Sequence, residues 1–404
     1  MYEHIAIIAL FAFAYCLVAE RLARTAVNGA VVYLAFGVIV GPVGLGWLDL
    51  GLGGEGIRTI AELTLALVLF TDASNANLAV LRKTARLPAR LLLIGLPLTI
   101  LLGVGVGVLV FPELGLLQVA ILATILAPTD AALGKAVVTN PAVPEPVREG
   151  LNVESGLNDG ICVPILFTFL ALATQSGGEG SSGALALRLV AEEIGIGAGV
   201  GIGLAIAGAF GLRAAADRGW VVPGPWVRIP VIALAFGCFA LAQFAGGSGF
   251  IASFTGGLVF GGLIRQQHKE TVVEGAEGAS EALALMTWVV FGAAVVGQHM
   301  GTTAWQVVLY AVLSLTVVRM LPVAVSVVGL GTSTDSKLFL GWFGPRGLAS
   351  IVFLVIAAQE NLPGSETLIA VTVVTVVLSI LGHGLSANPL AAAFGARAKA
   401  EGGG

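Results

Sequence analysis

The stretch LAPTDAALG, residues 126–134, breaks a long apolar run with a proline and an acid, and VESGLNDGICVP, residues 153–164, adds two more acids in similar surroundings. Asp130, Glu154 and Asp159 therefore stand where charge is expensive. The rest of the chain says what kind of surroundings these are. Of 404 residues, 57% are hydrophobic and only 11% charged, with a mean hydropathy of +0.97. A soluble globular domain cannot present such a balance to water, so the chain reads as an all-α polytopic membrane protein. The net charge of -4 carries little information, because in such a protein the distribution of Lys and Arg over the loops matters and the total does not. Cys16, Cys162 and Cys238 lie in apolar segments without metal-site or disulfide spacing and read as small core hydrophobes. The first apolar segment has neither a basic leader nor a small-residue cleavage site and is expected to be a retained helix.

A membrane helix needs roughly 20 mostly apolar residues, since the hydrocarbon core is about 30 Å thick and a helix rises about 1.5 Å per residue. Thirteen stretches qualify: 4–20, 30–47, 59–76, 90–110, 117–137, 148–173, 188–213, 228–245, 249–264, 282–299, 304–328, 338–358 and 366–386. The distribution of basic residues tests this count. With the N-terminus outside, the inner loops hold Arg21, Arg24, Arg82, Lys83, Arg86, Arg90, Lys135, Arg148, Arg213, Arg218, Arg228, Arg265, Lys269, Lys337, Arg397 and Lys399, and the outer loops only Arg58 and Arg188. The other two, Arg319 and Arg346, lie within helices. This is the positive-inside pattern, and it sets the C-terminus in the cytoplasm of a cell (plasma or inner) membrane. The expected organisation is one transmembrane unit over 1–386, with halves at about 1–173 and 228–386 around a linker helix at 188–213, and a short cytoplasmic tail at 387–404.

Helix five carries Pro128 before Thr129 and Asp130, and helix twelve carries Gly344, Pro345 and Gly347 around Arg346. A proline inside a helix removes one backbone hydrogen bond and disrupts another, so both helices should be interrupted near mid-membrane. Freed backbone groups at that depth persist only where protein or a water-filled cavity satisfies them. The two broken helices are fifth in each half, and interrupted helices at matching positions of two repeats are the sequence mark of a transporter's binding site. On helix six, Ser155 and Asp159 are four apart, as are Glu154 and Asn158, so each pair shares a face. From Arg148 the chain climbs about 16 Å to Asp159, which is mid-bilayer. Carboxylates at that depth mark ion or proton pathways, or else buried ion pairs. Arg319 and Arg346 alone cannot neutralise Asp130, Glu154, Asp159 and Asp72, so some carboxylates are expected to bind an external cation or a proton.

Taken together, PTDAALG (128–134), NVESGLNDG (152–160) and GWFGPRGLASI (341–351) resemble the sodium/proton exchanger branch of the monovalent cation/proton antiporter family, in its bacterial or archaeal type with an Asn-Asp motif. The resemblance implies thirteen helices in two inverted six-helix repeats, with helices five and twelve broken and crossed in a mobile core domain, and a separate dimerisation domain. It implies that Asp159 carries either the cation or the proton, and that Thr129, Asp130 and Ser155 help to form the ion site, with sodium at Asp159 and Asp130. Asn158 would brace the core, Glu154 would pair with an arginine on helix eleven, most simply Arg319, and Arg346 matches the arginine at the break in helix twelve. Many relatives have an acid-Gly-Gly run at the end of helix three, where this chain reads LFTDASNANL (69–78). Asp72 is thus a candidate for the cytoplasmic funnel or a solvated helix end.

The implied activity is antiport of a monovalent cation, sodium or lithium, against a proton. Burial favours a neutral carboxylic acid and a desolvated cation favours the carboxylate, so the two ligands compete for one group. Alternating access would then drive exchange without ATP, a redox cofactor or enzymatic catalysis. Asn158 supplies an amide where electrogenic relatives have a second acid, which favours an electroneutral one-for-one exchange. Potassium/proton antiport is the alternative. A cation channel or symporter, and an intramembrane aspartyl protease, are the readings from other classes; the protease needs a Gly-x-Gly-Asp context that GLND (156–159) lacks. The expected partners are the cation, the proton, lipid and a second copy in a homodimer, with no nucleic acid. Glu62, Glu192 and Glu193 read as interfacial and Glu270, Glu274, Glu277 and Glu281 as a solvated stripe. His4, His268, His299 and His383 are expected at membrane edges.

Overall fold

A computed structural model describes residues 2–23, 25, 28–49, 55–75, 86–130, 133, 135–138, 140–175, 183–220, 226, 228–264, 266–297 and 304–402. Arg24, Arg82, Lys83 and Arg265, on which the orientation partly rests, lie outside the described residues, as do His299 and the side chains of Lys135, Lys269, Lys399, His268, Glu270 and Glu274.

Among the described residues the chain is helical, without strands, and each of the thirteen expected spans overlaps helix. The helices are α1 (Tyr2–Ala23), α2 (Gly29–Val40), α3 (Glu55–Asn75), α4 (Arg86–Arg90, a π-helical turn Leu91–Gly95, then Leu96–Val110), α5 (Leu116–Ile125 as α5a and Lys135–Val138 as α5b) and α6 (Glu145–Gln175). There follow α7 (Gly183–Asp217), α8 (Pro230–Phe244), α9 (Gly249–Leu263), α10 (Gln266–Phe291 and the π-helical Gly292–Val296), α11 (Trp305–Leu315 and Val317–Ser326), α12 (Thr334–Trp342 as α12a and Leu348–Gln359 as α12b) and α13 (Ser365–Gly402). Seven of these meet the length and hydropathy of a membrane span, and five shorter helices are apolar. Helices five and twelve are both interrupted, at the prolines and glycines that the sequence singles out.

Two compact units emerge from the packing. Unit 1 comprises Met1–Arg58, Thr84–Ser155 and Leu285–Gly404; unit 2 comprises Thr59–Lys83 and Gly156–Ala284. In unit 2, helices approach through glycines rather than through large side chains. A Cβ on Gly197 or Gly201 of α7 would stand 2.5 or 2.2 Å from the Ser248 or Ala252 carbonyl oxygen of α9. A Cβ on Gly257 or Gly261 of α9 would stand 2.4 or 2.2 Å from the Phe70 or Ser74 carbonyl oxygen of α3. Small residues four apart let backbones meet, and in a bilayer such close packing replaces the hydrophobic drive that water supplies to soluble proteins. Unit 1 uses the same device where Gly37 of α2 meets the Val289 carbonyl of α10. Its apolar core gathers Phe339, Leu340 and Phe343 of α12 with Ala387, Ala391 and Phe394 of α13.

α13 continues as helix beyond the expected span to Gly402, with Pro389 inside it, and His383 lies within it, buried. One expectation changes. Of the cysteines, Cys162 and Cys238 are buried, whereas Cys16 sits on an exposed face of α1.

Gly261→Val should force α9 away from α3 and lower stability by about 1–3 kcal/mol, the usual cost of overpacking. Thermal unfolding of the detergent-purified protein, followed by size-exclusion chromatography, measures it.

Candidate functional site: the paired helix breaks and the acids of helix six

Where α5a ends, residues 127–130 leave the helix, and where α12a ends, residues 343–347 do the same. Each break supplies what the other lacks. The Arg346 guanidinium donates from Nη1 to the carbonyl oxygens of Ala127 (2.6 Å) and Pro128 (3.0 Å). The Asp130 N–H donates to the Pro345 carbonyl at 2.8 Å. Asp130 in turn accepts the Leu348 N–H at Oδ2 (2.9 Å) and the Leu133 N–H at Oδ1 (3.3 Å). Its carboxylate thus sits at the N-terminus of α12b, where the unpaired amides and the helix dipole favour an anion. The Arg346 cation meets carbonyls just past the C-terminus of α5a, where the dipole favours a positive charge. Ser350 Oγ donates to the Ile125 carbonyl at 2.7 Å.

Two glycines make the approach possible. A Cβ on Gly347 would fall 2.0 Å from Asp130 Oδ2, and one on Gly344 would fall 2.4 Å from Arg319 Nε. Neither position can carry a side chain without moving the charged group beside it.

α6 joins the site from the other side. Ser155 Oγ donates to the Thr129 carbonyl at 2.5 Å. Glu154 forms a two-pronged pair with Arg319 of α11, Oε1 to Nη1 at 2.5 Å and Oε2 to Nη2 at 2.8 Å, both side chains almost wholly buried. Fork-to-fork geometry of this kind is the strongest form of ion pair and fixes orientation as well as distance. A small cavity opens on Thr129, Asp130 and Ser155 and is closed by Leu151, Phe343 and Pro345. Unit 1 therefore gathers Thr129, Asp130, Glu154, Ser155, Arg319 and Arg346. One turn further along α6, Asn158 and Asp159 belong to unit 2, 1% and 7% exposed. Asp72 of α3 is also in unit 2, against α6: a Cβ on Gly156 would stand 3.7 Å from the Asp72 Cβ. That places it one turn of α6 before Asp159.

Helix thirteen contributes residues that the sequence did not single out. Ser379 Oγ accepts the Arg346 backbone N–H at 2.7 Å. His383 Nε2 lies 2.8 Å from the Trp342 carbonyl, the last of α12a, and its Nδ1 lies 3.2 Å from Ser379 Oγ. Trp342 Nε1 donates to Ser386 Oγ at 2.9 Å. Ser379, His383 and Ser386 recur at spacings of four and three, a polar stripe on an apolar helix, and that periodicity is the signal by which sequence could have found them.

Removing one partner of a buried pair strands the other charge. Glu154→Gln or Arg319→Met should each cost about 3–5 kcal/mol, while the double replacement Glu154→Leu with Arg319→Met should recover most of it. Thermal unfolding of the three variants separates the cases.

The chain is similar to the Na(+)/H(+) antiporter of Saccharomyces cerevisiae, with 27% identity over 80% of this chain and 34% of that protein. It is also similar to the K(+)/H(+) antiporter NhaP2 of Shewanella oneidensis, with 23% identity over 92% of this chain and 63% of that one. The chain thus spans between about a third and two thirds of the length of these relatives. Its fold is that of the sodium proton antiporter MjNhaP1 from Methanocaldococcus jannaschii at pH 8, with a TM-score of 0.78 at 20% identity, covering 96% of this chain and 97% of that one. The model of the family described as sodium/hydrogen exchanger, transmembrane, matches residues 6–393, and the chain belongs to that family.

Proposed function

We propose that the protein is a secondary antiporter that exchanges sodium, or lithium, for protons across a cell membrane, one for one and without a cofactor. The observation that carries this reading is the buried carboxylate of Asp159, 7% exposed, on the same helix as a serine tied into the α5 break. Arg319 pairs with Glu154, and Arg346 donates to the carbonyls of Ala127 and Pro128, which braces the helices around the site.

The chemistry follows from competition. A buried carboxylate is costly as a bare anion, and either a proton or a desolvated monovalent cation relieves that cost. Asp159 is the group that alternates between them, and Thr129, Asp130 and Ser155 offer further oxygens to the cation. If the loaded carboxylate crosses between inward and outward exposure and the bare one does not, each cation transported in one direction is matched by a proton in the other. Asn158 is an amide and titrates with neither ligand, which leaves a single charge to balance and makes the cycle electroneutral. Asp72, one turn of α6 away on the cytoplasmic side in this orientation, draws the cation toward the site. The N-terminus lies outside and the C-terminus in the cytoplasm, following the basic residues. The protein works as a homodimer; α1, whose apolar window is 0% buried, offers surface to lipid or to a second copy.

A second reading, potassium/proton antiport, is favoured by the names of several relatives, the Shewanella oneidensis protein among them. Reconstituted proteoliposomes distinguish the two: sodium and lithium, but not potassium, should collapse a preformed pH gradient. Asp159→Asn should reduce the exchange to background while the protein still purifies as a folded species, and retained exchange would overturn the assignment.

Competition also fixes the direction of the pH effect. As pH falls and protons occupy the carboxylate, the apparent KM for sodium should rise by up to about tenfold per pH unit with an unchanged maximal rate. An imposed membrane voltage should leave the rate nearly unaltered. An unchanged KM across that range would refute a shared site.

A further inference from the structure

Unit 1 contains a second concavity, away from the helix breaks. It measures about 310 Å³ and lies between the end of α11, α12a and the last turns of α13. That is the lower end of the range for small-molecule sites. Its walls are aromatic: Phe339, Trp342, Phe343 and Phe394. Phe339 stacks on Phe394 with ring centres 4.3 Å apart and tilts against Phe343 at 4.6 Å, so the walls hold one another in place.

The rim separates into two zones. Leu338 and Leu390 remain 54% and 41% exposed on helices of a membrane protein, where hydrocarbon is the natural neighbour. The lining also holds Asp335 and Arg397, with Nη1 to Oδ2 at 3.0 Å. Asp335 stands three residues before the expected apolar span 338–358, beside Lys337 of the basic inner side, which sets this pair at headgroup level, with the aliphatic stem of Arg397 along the apolar wall. The two side chains are 69% and 32% exposed, and an ion pair so wetted contributes little and opens at little cost.

We propose that this pocket is a binding site for a phospholipid with a zwitterionic, primary-ammonium headgroup, phosphatidylethanolamine. One acyl chain lies along the aromatic walls, Arg397 takes the phosphate and Asp335 takes the ammonium. One cation and one anion at the mouth complement a headgroup that carries both. A headgroup that is only anionic would set its phosphate beside the Asp335 carboxylate, and a trimethylammonium has no N–H to give it. Trp342, which lines the pocket, is also the last residue of α12a, and its carbonyl meets His383. The lipid would therefore pack against the residue from which the unwound segment departs. The assignment rests on the membrane-spanning fold and not on which cation is exchanged.

Fluorescence tests it directly. In the full chain with Trp47, Trp220, Trp226, Trp288 and Trp305 replaced by Phe, Trp342 is the remaining reporter. In detergent micelles, acyl-brominated phosphatidylethanolamine should quench it half-maximally at a mole fraction about fivefold below that needed for brominated phosphatidylglycerol or phosphatidylcholine. Asp335→Asn with Arg397→Gln should erase the preference, and Ala393→Phe, which fills the pocket, should remove the saturable quenching. Equal quenching by all three lipids, precedence of phosphatidylglycerol, or no saturable quenching would each overturn the proposal. The wild-type protein gives a second measurement that needs no tryptophan replacement. After purification and lipid extraction it should retain phosphatidylethanolamine that Ala393→Phe loses, and equal retention by both would count against the site.

Discussion

A backbone carbonyl or amide left open in the middle of a membrane has no water to bind, and the arrangement of unit 1 follows from how the two broken helices meet that obligation. The breaks answer each other. Arg346, from the segment between α12a and α12b, covers carbonyls beyond α5a, while Asp130, from the segment after α5a, covers an amide at the start of α12b. The charges are also placed correctly for the dipoles, cation at a C-terminus and anion at an N-terminus. An arginine and an aspartate thus each satisfy the backbone of the other's helix. Ser155, Ser350 and Ser379 complete the arrangement with short hydroxyl contacts to Thr129, Ile125 and Arg346.

Helix α6 stands beside this crossing and carries two different kinds of acid. Glu154 is committed to Arg319, in a pair whose desolvation consumes much of its Coulombic gain. What such a pair contributes is direction: it fixes the start of α6, and with it Ser155, against α11. Gly344 allows the Arg319 guanidinium to sit against the α12 break, so the pair and the crossing are built on shared atoms.

Much of this was legible in the sequence. The helices could be read because a bilayer demands long apolar runs and because Lys and Arg alternate between loops. The breaks could be read because proline and glycine act locally. The partners across the breaks could not, since Arg346 and Ala127 are 219 positions apart and no periodicity links them. The Glu154–Arg319 pairing came from the family resemblance, because spacing alone did not distinguish Arg319 from Arg346. The contacts of His383 with Trp342 and Ser379 could not be read either, since the first joins residues 41 positions apart. The glycine contacts of α7 and α9 were not read from the sequence, since only the packing shows which faces meet.

The space denied to a side chain at Gly347 has a genetic corollary. Every codon change that alters a glycine introduces at least one carbon, and here the first carbon would already collide with the Asp130 carboxylate. Lineages that carry this crossing have no single-step detour through a slightly larger residue at that position. A replacement could persist only alongside a second change that relocates the acid, so the two positions are bound to drift together or not at all.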